Sequence, residues 1–157
     1  MYEESLERKR NLGDQSGTAK ALHQLGNVAL RKNDYDDAEK LYEQSLEIQR
    51  RIGDIPGISG ALHNLGVIAQ RRGNYDKAKK LYHESLEIKR KLGDQSETGI
   101  SLAQLGRLAE EQGNLNLAEK LYSEAFQVFE RLGGKPDLEK LKKDLERVRY
   151  RKLELSR

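Results

Sequence analysis

The sequence predicts an all-α fold, a stack of antiparallel helix hairpins, and three observations predict it. The chain repeats itself at intervals of 40 residues: Leu25-Gly26, Leu65-Gly66 and Leu105-Gly106 fall in register, as do Ala38, Ala78 and Ala118, and Leu41-Tyr42, Leu81-Tyr82 and Leu121-Tyr122. Self-similarity at a fixed period of about 20–50 residues marks stacked supersecondary units, each packing on its neighbours. Within each unit the apolar residues recur at steps of three and four, the spacing of one helix face. Each unit also carries two stop signals, one at Asn33, Gly73 or Gly113 and one at Gly53, Gly93 or Gly133, so each holds two helices.

Taken in order, residues 1–14 align with the trailing helix of the later units, with Leu6 and Leu12 at the positions of Leu46 and Ile52. A helix of about 12 residues is marginal in water without a packing partner, so this one is expected to dock on the next hairpin. Its other side would then be bare. Either the chain is a segment of a longer array or that side meets another copy of the protein.

Full hairpins are expected at 15–54, 55–94 and 95–134. Gly13-Asp14, Gly53-Asp54 and Gly93-Asp94 close the trailing helices, because glycine accepts the left-handed conformation past a helix end. Ser16, Pro56, Ser96 and Pro136 then mark the start of each leading helix, serine as N-cap and proline in the first turn. The leading helices run to about Lys32, Arg72 and Gln112. Asp34, Asn74 and Asn114 cap the trailing helices, with Asp36 and Asp76 in the positive first turn. Gly26, Gly66 and Gly106 are expected to face Ala38, Ala78 and Ala118, allowing close approach, and the repeated tyrosines to pack between hairpins. Residues 135–157 read as a leading helix without a partner. Leu138, Leu141, Leu145 and Val148 form its one apolar stripe, and Glu146 stands where the other copies have glycine. A polar outer face suits a terminal cap, so 1–157 is expected to be a single array that ends here.

Charged residues make up 35% of the chain with both signs interspersed, and the net charge of +3 is too small to imply nucleic acid. The basic end, Lys135 to Arg157, is broken by Asp137, Glu139, Asp144 and Glu146, and only Tyr150 there offers a stacking surface. There is no cysteine, hence no disulfide framework and no thiolate metal site. No apolar run approaches the roughly 18 residues of a membrane span, and the first residues lack a signal-peptide core. The chain reads as cytoplasmic. His23, His63 and His83 lack carboxylates or thiolates at ligand spacing, and no phosphate loop or nucleophile motif is present, so neither catalysis nor a metal or cofactor is expected.

The recurring pattern A-L-x-x-L-G-x-[VI]-A-x-x-x-[GN]-[DN]-Y-x-x-A-x-x-L-Y-x-x-S-L resembles the tetratricopeptide repeat. Ala21-Leu22, Leu25-Gly26, Tyr35, Ala38, Tyr42, Ser45 and Leu46 stand at that family's signature positions, and so do their copies 40 and 80 residues on. The unit is longer than the common 34-residue form. Longer units of this kind are similar to those of kinesin light chains, LGN/Pins-type adaptors and prokaryotic signalling proteins.

The resemblance implies a right-handed superhelix whose leading helices line a concave groove that holds a peptide or partner helix. Carried over, the groove positions are Lys20, His23, Gln24, Asn27, Leu30 and Arg31; then Gly60, His63, Asn64, Val67, Gln70 and Arg71; then Ile100, Ala103, Gln104, Arg107, Glu110 and Glu111. Steps of three and four place these on one helix face. The amides of Gln24, Asn64 and Gln104 suit a peptide backbone, and Arg31, Arg71 and Arg107 suit carboxylate or phosphate, so an acidic partner is expected. The family's clamp for a two-carboxylate tail is only half present: Asn27 and Asn64 match, but His23, Ile100 and Gln104 replace its cations. The function implied is a protein-interaction scaffold. The alternatives are a self-associating module, dimeric through the unpaired first helix, and an engineered array without a ligand.

Overall fold

The computed structural model describes residues 2–11 and 14–157. Among them are eight helices and no strand: α1 (Tyr2–Asn11), α2 (Gln15–Arg31), α3 (Tyr35–Ile52), α4 (Ile55–Arg71), α5 (Tyr75–Leu92), α6 (Gln95–Glu111), α7 (Leu115–Leu132) and α8 (Lys135–Leu155). The expected stop at Gly13 and the apolar contact of Leu12 lie outside the described residues. Two compact units are formed, Met1–Ile88 and Lys89–Arg157, and the division falls in the last turn of α5.

The stop signals act as the sequence predicts. Asn33 takes φ 60°, and Gly53, Gly73, Gly93, Gly113 and Gly133 take φ between 71° and 76°. The trailing helices are capped by Asp34, Asn74 and Asn114, whose side chains accept from the backbone N–H of Asp37, Lys77 and Leu117 at 3.2 Å. The leading helices differ from expectation. Asp14, Asp54 and Asp94 are their N-caps, accepting from Gly17, Gly57 and Glu97; Ser16 and Ser96, expected as caps, sit two residues further in, while Pro56 stands in the first turn as expected. A carboxylate two residues earlier reaches the third amide of the helix and meets its positive end, which a serine hydroxyl does less strongly. The Gly-Asp pair therefore does two jobs, ending one helix and opening the next. At Gly133-Gly134 the second is lost, and α8 starts with no side-chain cap bond.

The close approach of the helices leaves room for a ring at each repeated glycine. A Cβ on Gly26, Gly66 or Gly106 would meet the ring of Tyr42, Tyr82 or Tyr122 at 2.6–2.8 Å, so each glycine lies under a tyrosine. Each ring is fully buried and belongs to the same hairpin as its glycine, and Tyr42 also packs with α4 of the next hairpin, as expected. A buried serine adds to this: Ser45 Oγ donates to the Ala19 carbonyl at 2.7 Å, and Ser85 Oγ to the Ser59 carbonyl at 2.8 Å.

In the first unit the core runs through α2, α3 and α4, where Ala29, Tyr42, Leu46, Leu62, Leu65 and Ile68 pack together. In the second unit Leu141, Leu145 and Val148 bury the expected stripe of α8. The repeat positions that are buried as Ala19, Leu22, Gly26 and Ala29 in α2 are Glu139, Lys142, Glu146 and Arg149 in α8, all exposed. That face of α8 is charged as far as Arg149, and one turn further on it carries the exposed Leu153.

Candidate functional site

The face singled out by the sequence lies on the leading helices, and in the first unit α2 and α4 bring its residues together. Asn64 donates through Nδ2 to Asn27 Oδ1 at 3.2 Å and is 3.2 Å from His23 Nε2. Asn27 Oδ1 also accepts the Tyr42 hydroxyl at 2.7 Å, and its own Nδ2 donates to Gln24 Oε1 at 3.3 Å. An amide nitrogen can only donate, so His23 accepts at Nε2 and carries its proton on Nδ1. Burial lowers the pKa of His23 and keeps the ring neutral, and it stands edge-on to Tyr42 with centroids 5.2 Å apart. Burial pushes the Tyr42 hydroxyl up to about 12, so it stays a donor. Both donors of the Asn64 amide are thus occupied within the protein, and its carbonyl is what remains for a ligand.

Around this network the face is exposed and basic. Lys20, Gln24, Arg31 and Arg71 are exposed, whereas His23, Asn27, His63, Asn64 and Val67 are half-buried. Arg71 reaches Asn33 Oδ1 at 3.4 Å and the Tyr35 hydroxyl at 3.5 Å. Among the described residues no carboxylate pairs with Lys20, Arg31 or Arg71. The carboxylates that do pair in this unit are spent elsewhere: Glu39 is held by Arg72 and, at 2.7 Å, by Lys77, which lowers its pKa.

In the second unit, Gln104 and Arg107 are half-buried on α6, and Glu111 is exposed at its end. Glu110 is not a groove residue. It is 8% exposed and fixed inside a cluster: Arg147 grips both carboxylate oxygens at 2.8 Å, Arg151 donates at 3.1 Å and the Tyr122 hydroxyl at 2.9 Å. Arg147 foremost, with Tyr122 and Arg151, holds the Glu110 carboxyl down to about 2 against the opposing effect of burial. Burial foremost, with the Glu110 carboxylate, pushes the Tyr122 hydroxyl well above its ordinary value. The tyrosine hydroxyls explain the misassignment. Tyr42 finds Asn27, but the copies of Asn27 are Val67 and Arg107, so Tyr82 turns to Gln70 at 2.8 Å and Tyr122 to Glu110. The basic end of the chain likewise staples the fold, with Arg149 and Lys152 on Glu119 at 2.8 and 2.6 Å.

One set of residues was missed from the sequence. Gln49, Lys89 and Phe129 share a repeat position near the end of each trailing helix and are 3%, 4% and 4% exposed. Lys89 donates to Ser101 Oγ at 3.0 Å and pairs with Glu97 at 3.0 Å. Gln49 lines a cleft of about 320 Å³ together with Lys20, His23, Gln24, Asp54, Pro56, Gly57 and Gly60. A step of seven from Tyr42 and four from Ser45 puts Gln49 on the buried stripe of α3, a signal its polar type obscured. No group of three or more His, Cys, Asp or Glu able to hold a metal occurs among the described residues, and no described helix is long and apolar enough to cross a membrane.

Comparison with known proteins places the chain in a family. The tetratricopeptide repeat model matches residues 1–51 and 57–135, and the chain belongs to that family. A search of curated proteins gives no match. Among solved structures, BtubC from P. vanneervenii is similar over 95% of this chain and 70% of its own, at TM-score 0.75 and 19% identity. The tetratricopeptide repeat sensor of a signal transduction ATPase with numerous domains from Pyrococcus horikoshii matches over 88% of this chain, at TM-score 0.80 and 22% identity. The chain spans only 22% of that protein. The N-terminal domain of stress-induced protein-1 from C. elegans matches over 83% of this chain and 96% of its own, at TM-score 0.65 and 18% identity. These likenesses are of fold. Family and fold together make the chain a protein-interaction scaffold.

Proposed function

We propose that the chain binds a peptide segment or helix of a partner protein on the leading-helix face, and that in the first unit the ligand is acidic or phosphorylated. The observation that carries this reading is the set of three cations, Lys20, Arg31 and Arg71, exposed on the face of α2 and α4 without a carboxylate partner among the described residues. Other cations of the chain are held by carboxylates, as at Arg72, Lys77, Arg147 and Lys152. Arginine offers a planar fork matched to carboxylate or phosphate, and lysine a point charge. The Gln24–Asn27–Asn64 amides lie between these cations, where the free Asn64 carbonyl accepts a backbone N–H of an extended ligand.

The test is selection of linear twelve-residue peptides from a displayed library against the whole chain, followed by titration of the selected peptides. Enrichment of Asp and Glu is expected, with affinity falling as salt is raised and dropping at least tenfold in the double variant Arg31→Ala/Arg71→Ala. Peptides that bind the double variant as tightly as the parent, or no selected peptide at all, would refute the reading.

A further inference from the structure

The cleft at the start of this face has a chemistry of its own. Its walls come from α2 (Lys20, His23, Gln24), the end of α3 (Gln49) and the beginning of α4 (Asp54, Pro56, Gly57, Gly60). Two of its polar atoms are shielded from solvent and have no hydrogen-bond partner: Nδ1 of His23 and Oε1 of Gln49. The first is a donor, because Nε2 of the same ring accepts from Asn64. The second is an acceptor. A buried polar atom without a partner costs stability, and native proteins rarely keep one without a use for it.

The other copies of the repeat show how this position is otherwise filled. Phe129 is apolar and asks for no partner. Lys89 meets Glu97 and Ser101. The residues of the next hairpin that correspond to Glu97 and Ser101 are Gly57 and Ala61, which offer Gln49 no side-chain partner. Gly57 and Gly60 also open the space, since their copies are Glu97 and Ile100, then Asp137 and Lys140. The glycines do not serve close packing alone: a Cβ on Gly60 would meet only His23 Cε1, at an ordinary 3.6 Å.

We infer that this cleft is a specificity pocket for a carboxamide, the side chain of an asparagine or glutamine in the bound peptide. The inference rests on the peptide-binding reading above and adds what one position of the peptide must be. A carboxamide presents a carbonyl to His23 Nδ1–H and an N–H to Gln49 Oε1 at once. A carboxylate would face the Gln49 oxygen and the Asp54 carboxylate with no proton to give either. An ammonium or guanidinium would face the His23 donor and Lys20. Lys20, Gln24 and Pro56 are the exposed residues of the lining and form its mouth.

The experiment uses the same displayed twelve-residue library on the parent chain, on Gln49→Leu and on Gly60→Leu, each first shown to be helical and cooperatively folded. On the parent, one peptide position is expected to be enriched in Asn and Gln, and replacing that residue by Leu or Asp weakens binding about tenfold. On Gln49→Leu that preference disappears, and the Leu-substituted peptide binds as well as the original. Gly60→Leu fills the cleft and abolishes the preference while both polar groups stay in the sequence. Selected peptides that depend on Arg31 and Arg71 but show no Asn or Gln preference would overturn the pocket and leave the proposed function standing. A preference that survives both variants would also overturn it. Failure to select any peptide would overturn both.

Discussion

Replacing Gly66 by alanine would put a methyl group 2.6 Å from Cε1 and 2.7 Å from Cδ1 of Tyr82, distances a carbon does not tolerate. The ring is fully buried, and its hydroxyl is tied to Gln70 Oε1 at 2.8 Å, so it has little freedom to retreat. Overpacking of this kind costs about 1–3 kcal/mol, and the tight contact with a tethered ring favours the upper end. Alanine returns about 1 kcal/mol through its helix propensity. The net loss is about 1–2 kcal/mol, which in a chain of this size lowers Tm by about 2–8 °C. Gly60 lies on the same helix and supplies the control, because its Cβ would meet only His23 Cε1 at 3.6 Å. Gly60→Ala should therefore keep the propensity gain and raise Tm by about 2–4 °C. Thermal unfolding followed by helical circular dichroism measures both. If Gly66→Ala is as stable as the parent, or the two variants shift in the same direction, the account of tyrosine-on-glycine packing is wrong.

Other consequences can be checked in the same assay. The Glu110 carboxyl is held down to about 2, below its unfolded value, so its contribution is fully present above about pH 4.5. That contribution is lost as pH falls toward 2; Glu110→Gln should lose about 2 kcal/mol at neutral pH and show a flatter acid limb in a pH series of Tm values. Asp94→Ala removes the acceptor for the Glu97 N–H at 3.0 Å and should cost about 1 kcal/mol in urea unfolding, whereas Ser96→Ala, which removes no cap, should cost far less. At the buried lysine, Lys89→Met should be near neutral, while Glu97→Ala, which strips the ammonium of its carboxylate, should destabilise more; the reverse order in urea midpoints would contradict the assignment of Glu97 as its partner.

Much of the fold was legible because it is written three times. Helix periods, left-handed stops and the caps at Asp34, Asn74 and Asn114 are local features, and repetition in register separates them from coincidence. Proline in the first turn is a true start signal at α4 and α8, whereas serine places the caps of α2 and α6 two residues late, because Asp14 and Asp94 stand beside a glycine whose stop signal hides their second role. Which residues share the leading-helix face was legible from spacing alone. Which of them are already engaged was not. The hydrogen bonds of Asn27 and Glu110 depend on where a tyrosine hydroxyl from another helix arrives, and no one-dimensional pattern carries that distance. Gln49 and Lys89 lay on the apolar stripe by position and off it by chemistry, so their burial was hidden.

The varying residue at the end of each trailing helix bears on how such a chain folds at all. Units that are near copies of one another can dock in the wrong order, or with a neighbouring molecule's unit, since their shared apolar surfaces do not tell one copy from the next. The residues that follow them do. A lysine set against Glu97 and Ser101 finds its acceptors, but the same lysine set against Gly57 and Ala61 would bury an ammonium with none. Such a mismatch costs several kcal/mol, on the order of the whole stability of a small domain. The lysine at this repeated position therefore works as a key, cut for the hairpin that carries Glu97 and Ser101.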